Sequence, residues 1–441
     1  MPGFRSLLAR LLARLVTSGF FRGFEITGDP DHDGPRLIVA NHFNGFVDAV
    51  VLVRALGGLP HFIAKSTLFD RLPLRLLLRF LGVIPVYRSV DHADLSENRS
   101  SFEEVRAALA RGQTVLIFPE GTVTDSQELQ RIRTGAARIV LGAMAEGVED
   151  IAIIPMGITY EDKVAARSRV LVEVGSLIDA DADLVPPADG GEVTDANHRL
   201  VRATTNLIRD RLAAVSPVYG SLVRERVMMT AAEVHVREQA DHVFSEPRLS
   251  EIRAVSQRLA NLPEAESDPA IDATGRYELA LSAVALRDDQ ISPPPRLSDL
   301  ARIVLRKVII VLLILPLALV GLLANLIPTL IVFGVGAVIR EPVTKGTARV
   351  LTALVVFPLA WTLQIILVGP ERMWLTLGVM VVGGVLLVVA VRQVLELVEA
   401  TITYSSVRNS RYLLDDLARI RSQADAAIVQ ALGSAGTEPN G

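Results

Sequence analysis

The stretch Leu-Ile-Val-Ala-Asn-His-Phe-Asn-Gly-Phe-Val-Asp, residues 37–48, joins a short apolar run to a polar turn. The run Leu37–Ala40 has the length and composition of a buried strand. His42 and Asp48 follow it, and a neutral histidine beside a carboxylate is a common way to make a hydroxyl group nucleophilic at neutral pH. Taken alone, the pair also fits an ordinary surface turn.

The six-residue spacing sets a geometric condition on the chain between His42 and Asp48. In an uninterrupted helix, six steps of ~100° would leave the two side chains about 120° away from facing each other. The glycine of the Asn44-Gly45 pair can take a positive φ without steric cost, and its asparagine is a good turn former. We therefore expect a turn there, a helix that begins near Phe46 or Val47, and Asp48 in its first turn.

Further apolar runs alternate with helical patterns downstream of this stretch. The predicted strands are Phe62–Ala64, Val83–Val86, Val115–Phe118, Ile151–Pro155 and Val170–Val174, and the predicted helices are Leu72–Leu81, Ser100–Arg111 and Thr134–Glu146. Ser100 and Ser101 offer capping boxes at the start of the second helix. The alternation favours an α/β sheet covered by helices, in which chemical groups collect at the strand ends.

Two more motifs follow strand ends. Arg88 comes directly after the run Val83–Val86, where its planar guanidinium can hold a phosphate through two hydrogen bonds. The alternative for this arginine is a structural ion pair with a nearby acidic side chain. Phe-Pro-Glu-Gly-Thr, residues 118–122, closes another strand. Glu120 can bond an acceptor hydroxyl group, and the following glycine permits close approach of a ligand; the alternative is a turn with a solvated glutamate.

In this order and spacing, the motifs resemble those of the glycerolipid acyltransferase family, which acts on glycerol-3-phosphate, dihydroxyacetone phosphate or lysophosphatidate. The resemblance covers about Phe21 to Gly175 and includes basic residues at Lys65 and Arg133. It implies a mixed sheet flanked by helices, with acyl-CoA or acyl-carrier protein as the donor substrate and no bound cofactor or metal. The five residues between His42 and Asp48 look like the branch that includes the yeast-type enzymes.

The resemblance also implies roles for individual residues. His42 would be the general base and Asp48 would orient it, and these two are the predicted catalytic residues. Predicted substrate-binding residues are Asn41, Lys65, Arg88, Glu120, Gly121, Thr122 and Arg133. The implied function is O-acyl transfer to glycerol-3-phosphate or 1-acylglycerol-3-phosphate in phospholipid (phosphatidic acid) biosynthesis. Two alternatives stay open: an acyltransferase for another membrane acceptor, and a non-catalytic membrane-remodelling or transport protein with an acyltransferase-like domain.

Apolar residues concentrate between Ala301 and Val394. Val350–Val368 and Trp374–Val391 are each about long enough to cross the ~30 Å hydrocarbon core of a bilayer. For the longer stretch Val308–Ile339 we prefer a tight or re-entrant hairpin that turns near Asn325, and the alternative is one broken span. The hairpin would leave the flanking basic residues on the side of the catalytic domain. These are Arg302, Arg306, Lys307, Arg340, Lys345, Arg349 and Arg392.

Leucines recur at helical spacing in the first twenty-odd residues, and arginines interrupt them. This pattern predicts an amphipathic helix on a membrane surface, or alternatively a helix packed on its own domain. The expected organisation is this helix in 1–25, an α/β acyltransferase domain in 26–185, a helical insertion in 186–298, a transmembrane region in 299–395, and a C-terminal helix with a disordered tail in 396–441. Helices expected in the insertion are Asn197–Val215, Leu222–Glu238, Leu249–Leu262 and Arg276–Leu286.

Composition narrows the remaining possibilities. The 441 residues include no cysteine, so disulfides and thiolate catalysis are excluded. The formal net charge of −4 gives no indication of nucleic-acid binding. The expected partners are an acyl thioester donor, a glycerol-phosphate-type acceptor and the lipid bilayer. The expected location is a bacterial inner membrane, with the catalytic domain on the cytoplasmic face.

Overall fold

The computed structural model describes most of the chain, which divides into two compact units, Met1–Tyr219 and Gly220–Gly441. The described residues are 2–70, 75, 78–79, 81–86, 96–123, 129–162, 168–186, 197–216, 222–239, 246–284, 288, 297–339, 342–409 and 411–434. Arg88 and Arg340, most of the predicted helix Leu72–Leu81 and the C-terminal tail lie outside these residues.

The first unit is built on a mixed sheet. Its strands are β1 (Gly23–Thr27), β2 (Arg36–Ala40), β3 (His61–Lys65), β4 (Ile84–Val86), β5 (Thr114–Ile117), β6 (Ala152–Tyr160), β7 (Arg169–Val174) and β8 (Ile178–Asp179). Their spatial order is β1-β7-β6-β2-β5-β3-β4, and β8 pairs with β6. The strands from β6 to β4 in this order run parallel, whereas β7 and β8 are antiparallel to β6. The prediction of a mixed sheet flanked by helices is therefore confirmed.

Helices cover both faces of this sheet. In the first unit they are α1 (Pro2–Phe20), α2 (Phe46–Ala55), α3 (Ser96–Ala110), α4 (Gly135–Ala145), the short α5 (Ala180–Asp183) and α6 (Asn197–Val215). Leu37 and Val39 belong to a buried cluster that includes residues of α3, α4 and α6. Ile38 belongs to a second cluster that includes residues of α2. Successive residues of a strand point to opposite faces, so the apolar run of β2 contributes to both clusters.

Three features of the first unit differ from the sequence prediction. The edge strand β1 and the two-residue β8 were not expected, because half-exposed and very short strands lack a continuous apolar run. Helix α3 begins at Ser96, so the capping boxes expected at Ser100 and Ser101 are wrong. Both serines lie inside the helix. Helix α6, which we assigned to the helical insertion, contributes Val201 and Ile208 to the core of this unit.

The second unit is helical in its described residues. Its helices are α7 (Leu222–Gln239), α8 (Leu249–Ala260), α9 (Glu264–Ala283), α10 (Leu297–Val338), α11 (Pro342–Val368), α12 (Met373–Asn409) and α13 (Arg411–Ser434). The predicted helix Arg276–Leu286 is wrong in extent, since α9 begins twelve residues earlier and includes Pro269. Ala270, Ala273 and Tyr277 are buried in this helix, and their packing outweighs the low helix propensity of proline.

Three apolar helices could span a membrane by length and composition: Val304–Val338, Leu351–Val368 and Pro370–Leu395. The preferred hairpin near Asn325 is wrong, because α10 is one continuous helix of 42 residues through that position. The Asn325 side chain does not interrupt this helix. Its Nδ2 donates to the carbonyl oxygens of Gly321 (2.8 Å) and Met380 (3.1 Å), and its Oδ1 accepts from Trp361 Nε1 (2.8 Å). The amide therefore joins three helices.

The continuous α10 also changes the expectation for the flanking basic residues. Arg302 and Arg306 lie near the start of this helix, whereas Lys345 and Arg349 follow its end. A helix that crosses a bilayer once separates the residues at its two ends. If each of the three apolar helices crosses the bilayer once, these basic residues lie on both sides of it. For that arrangement the expectation that they all share one side is wrong.

Candidate active site

The predicted motifs meet at one edge of the sheet. Strand β2 pairs in parallel with β5 and with β6, and Val39 lies opposite Ile117 and Pro155. The segments that follow β2 and β5 therefore leave the sheet side by side, while β6 continues beyond them to Tyr160. Carboxyl ends of parallel strands are the usual place for chemistry in such sheets. The pairing brings Asn41–Asp48 and Phe118–Thr122 to the same place.

The chain between His42 and Asp48 turns as predicted. Gly45 has φ 57° and ψ −125°, a conformation that favours glycine, and helix α2 begins at the next residue, Phe46. Val47 N donates to Asn44 O at 3.2 Å and closes the turn. Asp48 lies in the first turn of α2. The helix N-terminus favours a negative charge at this position.

His42 and Asp48 form a hydrogen-bonded pair. The distance from His42 Nδ1 to Asp48 Oδ2 is 2.9 Å. The Asp48 side chain is fully buried and that of His42 is 17 % exposed. Asp48 Oδ2 also accepts from the backbone N–H groups of Phe43 (2.9 Å) and Asn44 (2.7 Å). Because an ionised carboxylate only accepts, this arrangement assigns the ring proton to Nδ1 and leaves Nε2 able to take a proton.

The turn after β5 supports the histidine from one side. The Phe118 ring stacks on the His42 ring, with centroids 3.9 Å apart and an interplanar angle of 11°. Glu120 is buried, and its two carboxylate oxygens accept from the backbone N–H groups of His42 (2.8 Å) and Gln130 (3.0 Å). Burial raises the pKa of Glu120 to about 7, although these two hydrogen bonds act to lower it. In this structure Glu120 therefore joins two loops, and its contact with an acceptor hydroxyl group stays a prediction.

Other predicted residues lie around this centre. Asn41 is buried, and its side-chain amide exchanges two hydrogen bonds with the backbone of Ile158, at 3.0 and 2.7 Å. These bonds hold the ends of β2 and β6 together, so a direct role in substrate binding stays a prediction. Lys65 is the last residue of β3 and is partly buried, and Thr122 is exposed.

Gly121 and Arg133 form the outer part of the turn. Gly121 has a φ of 66°, and the Arg133 side chain packs against the position that a Cβ atom would occupy. Arg133 Nε donates to Glu120 O at 3.2 Å, and Arg133 is exposed. This contact brings one predicted phosphate-binding residue next to the turn. Among the described residues, no group of three or more His, Asp or Glu side chains could hold a metal ion.

Sequence reasoning missed one residue of this cluster. Tyr160, the last residue of β6, donates its hydroxyl hydrogen to Asp48 Oδ1 at 2.5 Å. Burial raises the pKa of Tyr160 well above its usual value, and the nearby charge of Asp48 acts in the same direction. The hydroxyl group therefore stays protonated and is a donor. The pattern of β6 offered a weak signal, since a polar aromatic residue ends an apolar strand at the active edge.

Comparison with known proteins identifies the segment that carries these residues. Residues 24–159 match the model of the family described as Acyltransferase. This segment is an acyltransferase domain. It contains the turn at Gly45, the His42–Asp48 pair and the Glu120 turn, and it ends one residue before Tyr160.

Relatives with described names match parts of the chain. Glycerol-3-phosphate O-acyltransferase 2 of Saccharomyces cerevisiae is 34% identical over 91 residues, which are 20% of this chain and 12% of that protein. The probable 1-acyl-sn-glycerol-3-phosphate acyltransferase of Mycoplasma pneumoniae is 28% identical over 139 residues, which are 30% of this chain and 50% of that protein. The chain thus spans no more than half the length of these relatives. Membership of the branch with the longer spacing stays a prediction.

A solved structure with partial similarity is the 1-acyl-sn-glycerophosphate (LPA) acyltransferase PlsC from Thermotoga maritima. It is 15% identical to this chain, and the match covers 46% of this chain and 77% of that chain with a TM-score of 0.32. At that score the likeness carries no argument about substrate or mechanism.

Proposed function

We propose that the acyltransferase domain transfers a fatty acyl group from a thioester to a hydroxyl group of glycerol-3-phosphate or 1-acylglycerol-3-phosphate. The observation that carries this proposal is the 2.9 Å contact between His42 Nδ1 and the buried Asp48, at the strand edge of an acyltransferase domain. Acyl transfer to an alcohol needs a base for the hydroxyl proton, and a histidine with Nδ1 occupied by a carboxylate is such a base.

The proposed reaction proceeds without an acyl-enzyme. The acceptor oxygen attacks the thioester carbonyl carbon while His42 Nε2 takes the hydroxyl proton. The new C–O bond gives a tetrahedral intermediate, and its collapse breaks the C–S bond. The leaving thiolate then receives the proton from the imidazolium, which returns His42 to its starting state. Asp48 keeps the proton on Nδ1 and stabilises the imidazolium that forms between the two steps.

Basic residues near this edge would bind the acceptor phosphate. Arg133 is exposed beside the Glu120 turn, and Lys65 ends a strand of the same sheet. We propose that they assist Arg88, whose guanidinium fork suits a phosphate. The names of the two curated relatives support an acceptor of this type. The donor would be acyl-CoA or acyl-carrier protein, and the reaction needs no other cofactor.

The proposed product carries a fatty acyl chain that partitions into membranes, and two features of the chain suit that environment. Three helices are long and apolar enough to cross a bilayer. Helix α1 also exposes Leu7, Leu11 and Leu15, which lie on successive turns. In an interfacial helix, such side chains enter the headgroup region of the bilayer. We propose that α1 lies on the bilayer surface and that the acyltransferase domain works on the cytoplasmic face of a bacterial inner membrane, in phospholipid biosynthesis.

The test is an in vitro assay of the purified full chain in lipid nanodiscs. Acyl-CoA and acyl-carrier protein are each offered with glycerol-3-phosphate, dihydroxyacetone phosphate, 1-acylglycerol-3-phosphate and acceptors that lack a phosphate, and the products are identified by mass spectrometry. We expect transfer to a glycerol-phosphate acceptor and a loss of at least ~10²-fold in His42→Ala. Transfer only to acceptors without phosphate would contradict the proposed substrate class.

The histidine variant needs a control for folding, because the ring stacks on Phe118. The thermal midpoint of His42→Ala is measured beside that of wild type, and His42→Gln provides a variant that keeps more of the side-chain volume. Near-normal turnover in both folded variants would remove His42 from the mechanism. Loss of transfer with an unchanged midpoint supports its role as the base.

A further inference from the structure

We propose that Tyr160 is a positioning residue of the His42–Asp48 pair: its buried hydroxyl group holds Asp48 Oδ1 and so fixes the direction in which Oδ2 faces His42. The inference rests on the proposed function, because it deepens the account of the same site. It is carried by contacts between residues 112 positions apart in the chain.

The donors around Asp48 divide between its two oxygens. Oδ2 accepts from His42 Nδ1 and from the backbone N–H groups of Phe43 and Asn44. Among the described contacts, Tyr160 supplies the hydrogen bond to Oδ1, at 2.5 Å. A buried carboxylate is stable only when its oxygens are satisfied. With three donors on Oδ2, the hydrogen bond from Tyr160 to Oδ1 completes the set that orients the carboxylate plane.

Tyr160 is itself held firmly. The residue is 1 % exposed and stands at the end of β6, whose register with β2 places it beside the pair. The Phe21 ring stacks on its ring, with centroids 5.8 Å apart and an interplanar angle of 26°. A tyrosine has few side-chain torsions, so packing of the ring also fixes the position of the hydroxyl group. A group fixed in this way can hold the carboxylate without moving during the reaction.

The informative variant is Tyr160→Phe, which keeps the ring packing and removes one hydroxyl group. Asp48 Oδ1 then loses its donor, so the carboxylate can rotate. Its negative charge is also less compensated, and it therefore attracts a proton on the imidazole more strongly. We expect kcat to fall roughly 10-fold or more, with little change in either KM, since hydrogen bonds to charged groups are among the stronger ones. The acid limb of the kcat profile should move to higher pH, because the less compensated carboxylate favours the imidazolium.

A double-mutant cycle separates this role from simple core packing. In an Asp48→Ala background, the side chain on which Tyr160 acts is gone together with its hydrogen bond, so Tyr160→Phe should add less than about a threefold loss. If Tyr160 only fills space, the same fold loss appears in both backgrounds. That result would overturn the proposal, as would a Tyr160→Phe variant with wild-type kcat and pH profile.

The second unit offers a matched control. Tyr277 is also buried, and its hydroxyl group donates to Asp288 Oδ1 at 2.7 Å. Tyr277→Phe removes the same hydroxyl from a similar tyrosine–aspartate contact that has no part in the proposed site. We expect this variant to lower the thermal midpoint without moving the acid limb. A shift of the limb in Tyr277→Phe as large as in Tyr160→Phe would assign the effect to general destabilisation.

A readout that needs no substrate keeps this inference separate from the proposed function. Diethylpyrocarbonate modifies unprotonated histidine, and mass spectrometry gives the rate at His42 in the full chain as a function of pH. Tyr160→Phe should move the midpoint of this rate upward by about half a pH unit or more. Glu120, which also titrates near His42, is common to all variants. If the midpoint of modification shifts in Tyr160→Phe but the wild-type protein shows no acyl transfer, only the proposed function is contradicted. If the wild-type protein shows acyl transfer but the midpoint does not shift in Tyr160→Phe, the role of Tyr160 is contradicted.

Discussion

Asp48→Asn is the sharpest single test of the pair, because the structure indicates that the fold survives it. Asparagine has the same shape as aspartate, so its carbonyl oxygen can replace Oδ2 and accept from His42, Phe43 and Asn44. Its NH₂ group then faces Tyr160, whose hydroxyl group can rotate to accept instead of donate. The variant thus keeps a partner for each polar atom and loses the negative charge.

The size of the effect follows from the geometry of the pair. With Nδ1 and Oδ2 2.9 Å apart, the charge centres of an imidazolium and a carboxylate lie about 4 Å apart. At an effective dielectric constant of about 20, that attraction is worth ~4 kcal/mol. Since ~1.4 kcal/mol is a factor of ten in rate, the loss in kcat should approach ~10³-fold. Donor KM should change little, because the Asp48 side chain is fully buried and contacts His42 and the neighbouring backbone.

The assay is steady-state acyl transfer by the purified variants, with thermal midpoints measured in the same detergent. A matched control exists in the second unit, where His235 Nδ1 lies 2.9 Å from Asp425 Oδ1 in another histidine–aspartate pair. Asp425→Asn removes the same charge at the same distance and should leave kcat within about twofold of wild type. If Asp48→Asn stays folded and retains kcat within tenfold, the charge of Asp48 is not part of the mechanism.

Further predictions concern the turn, the buried glutamate and the apolar helices. Gly45→Ala should cost ~1–3 kcal/mol of stability and lower kcat, because it displaces the start of α2. Gly57 lies beyond the other end of α2, has a φ of 60° and has open space around it. Gly57→Ala should therefore lower stability without lowering kcat. The pKa of Glu120 is raised from 4.5 to about 7, so its contribution to stability is present below pH 4.5 and is lost as the pH rises through 7. Relative to Glu120→Gln, wild type should lose on the order of 3 kcal/mol of stability over that range, as measured by thermal melts of both proteins. Asn325→Leu leaves Trp361 Nε1 without its acceptor and should lower the thermal midpoint in nanodiscs, while Asn325→Gln should restore part of it; an unchanged midpoint in the leucine variant would remove this contact from the stability of the helices.

The α/β core and the place of the motifs could be predicted from the amino-acid sequence. Apolar runs of four or five residues, separated by helical patterns, leave few ways to bury both faces of a strand except in a sheet covered by helices. The turn at Asn44-Gly45 could also be predicted, because it depends on the angular period of a helix and on the conformational freedom of one glycine. These are rules about neighbours in the chain, and the structure confirms them at Gly45 and Phe46.

The side chains that complete the site could not be predicted in this way, because long-range packing brings them together. Tyr160 reaches Asp48 because β6 extends beyond β2 in a particular register, and no local pattern specifies that overlap. The buried Glu120 carboxylate meets the backbone of His42, 78 residues away, where the sequence suggested a ligand. Asn325 belongs to a continuous helix because its amide finds partners on two other helices. Each outcome depends on satisfying a buried polar group, and its partners are set by the packing of distant segments.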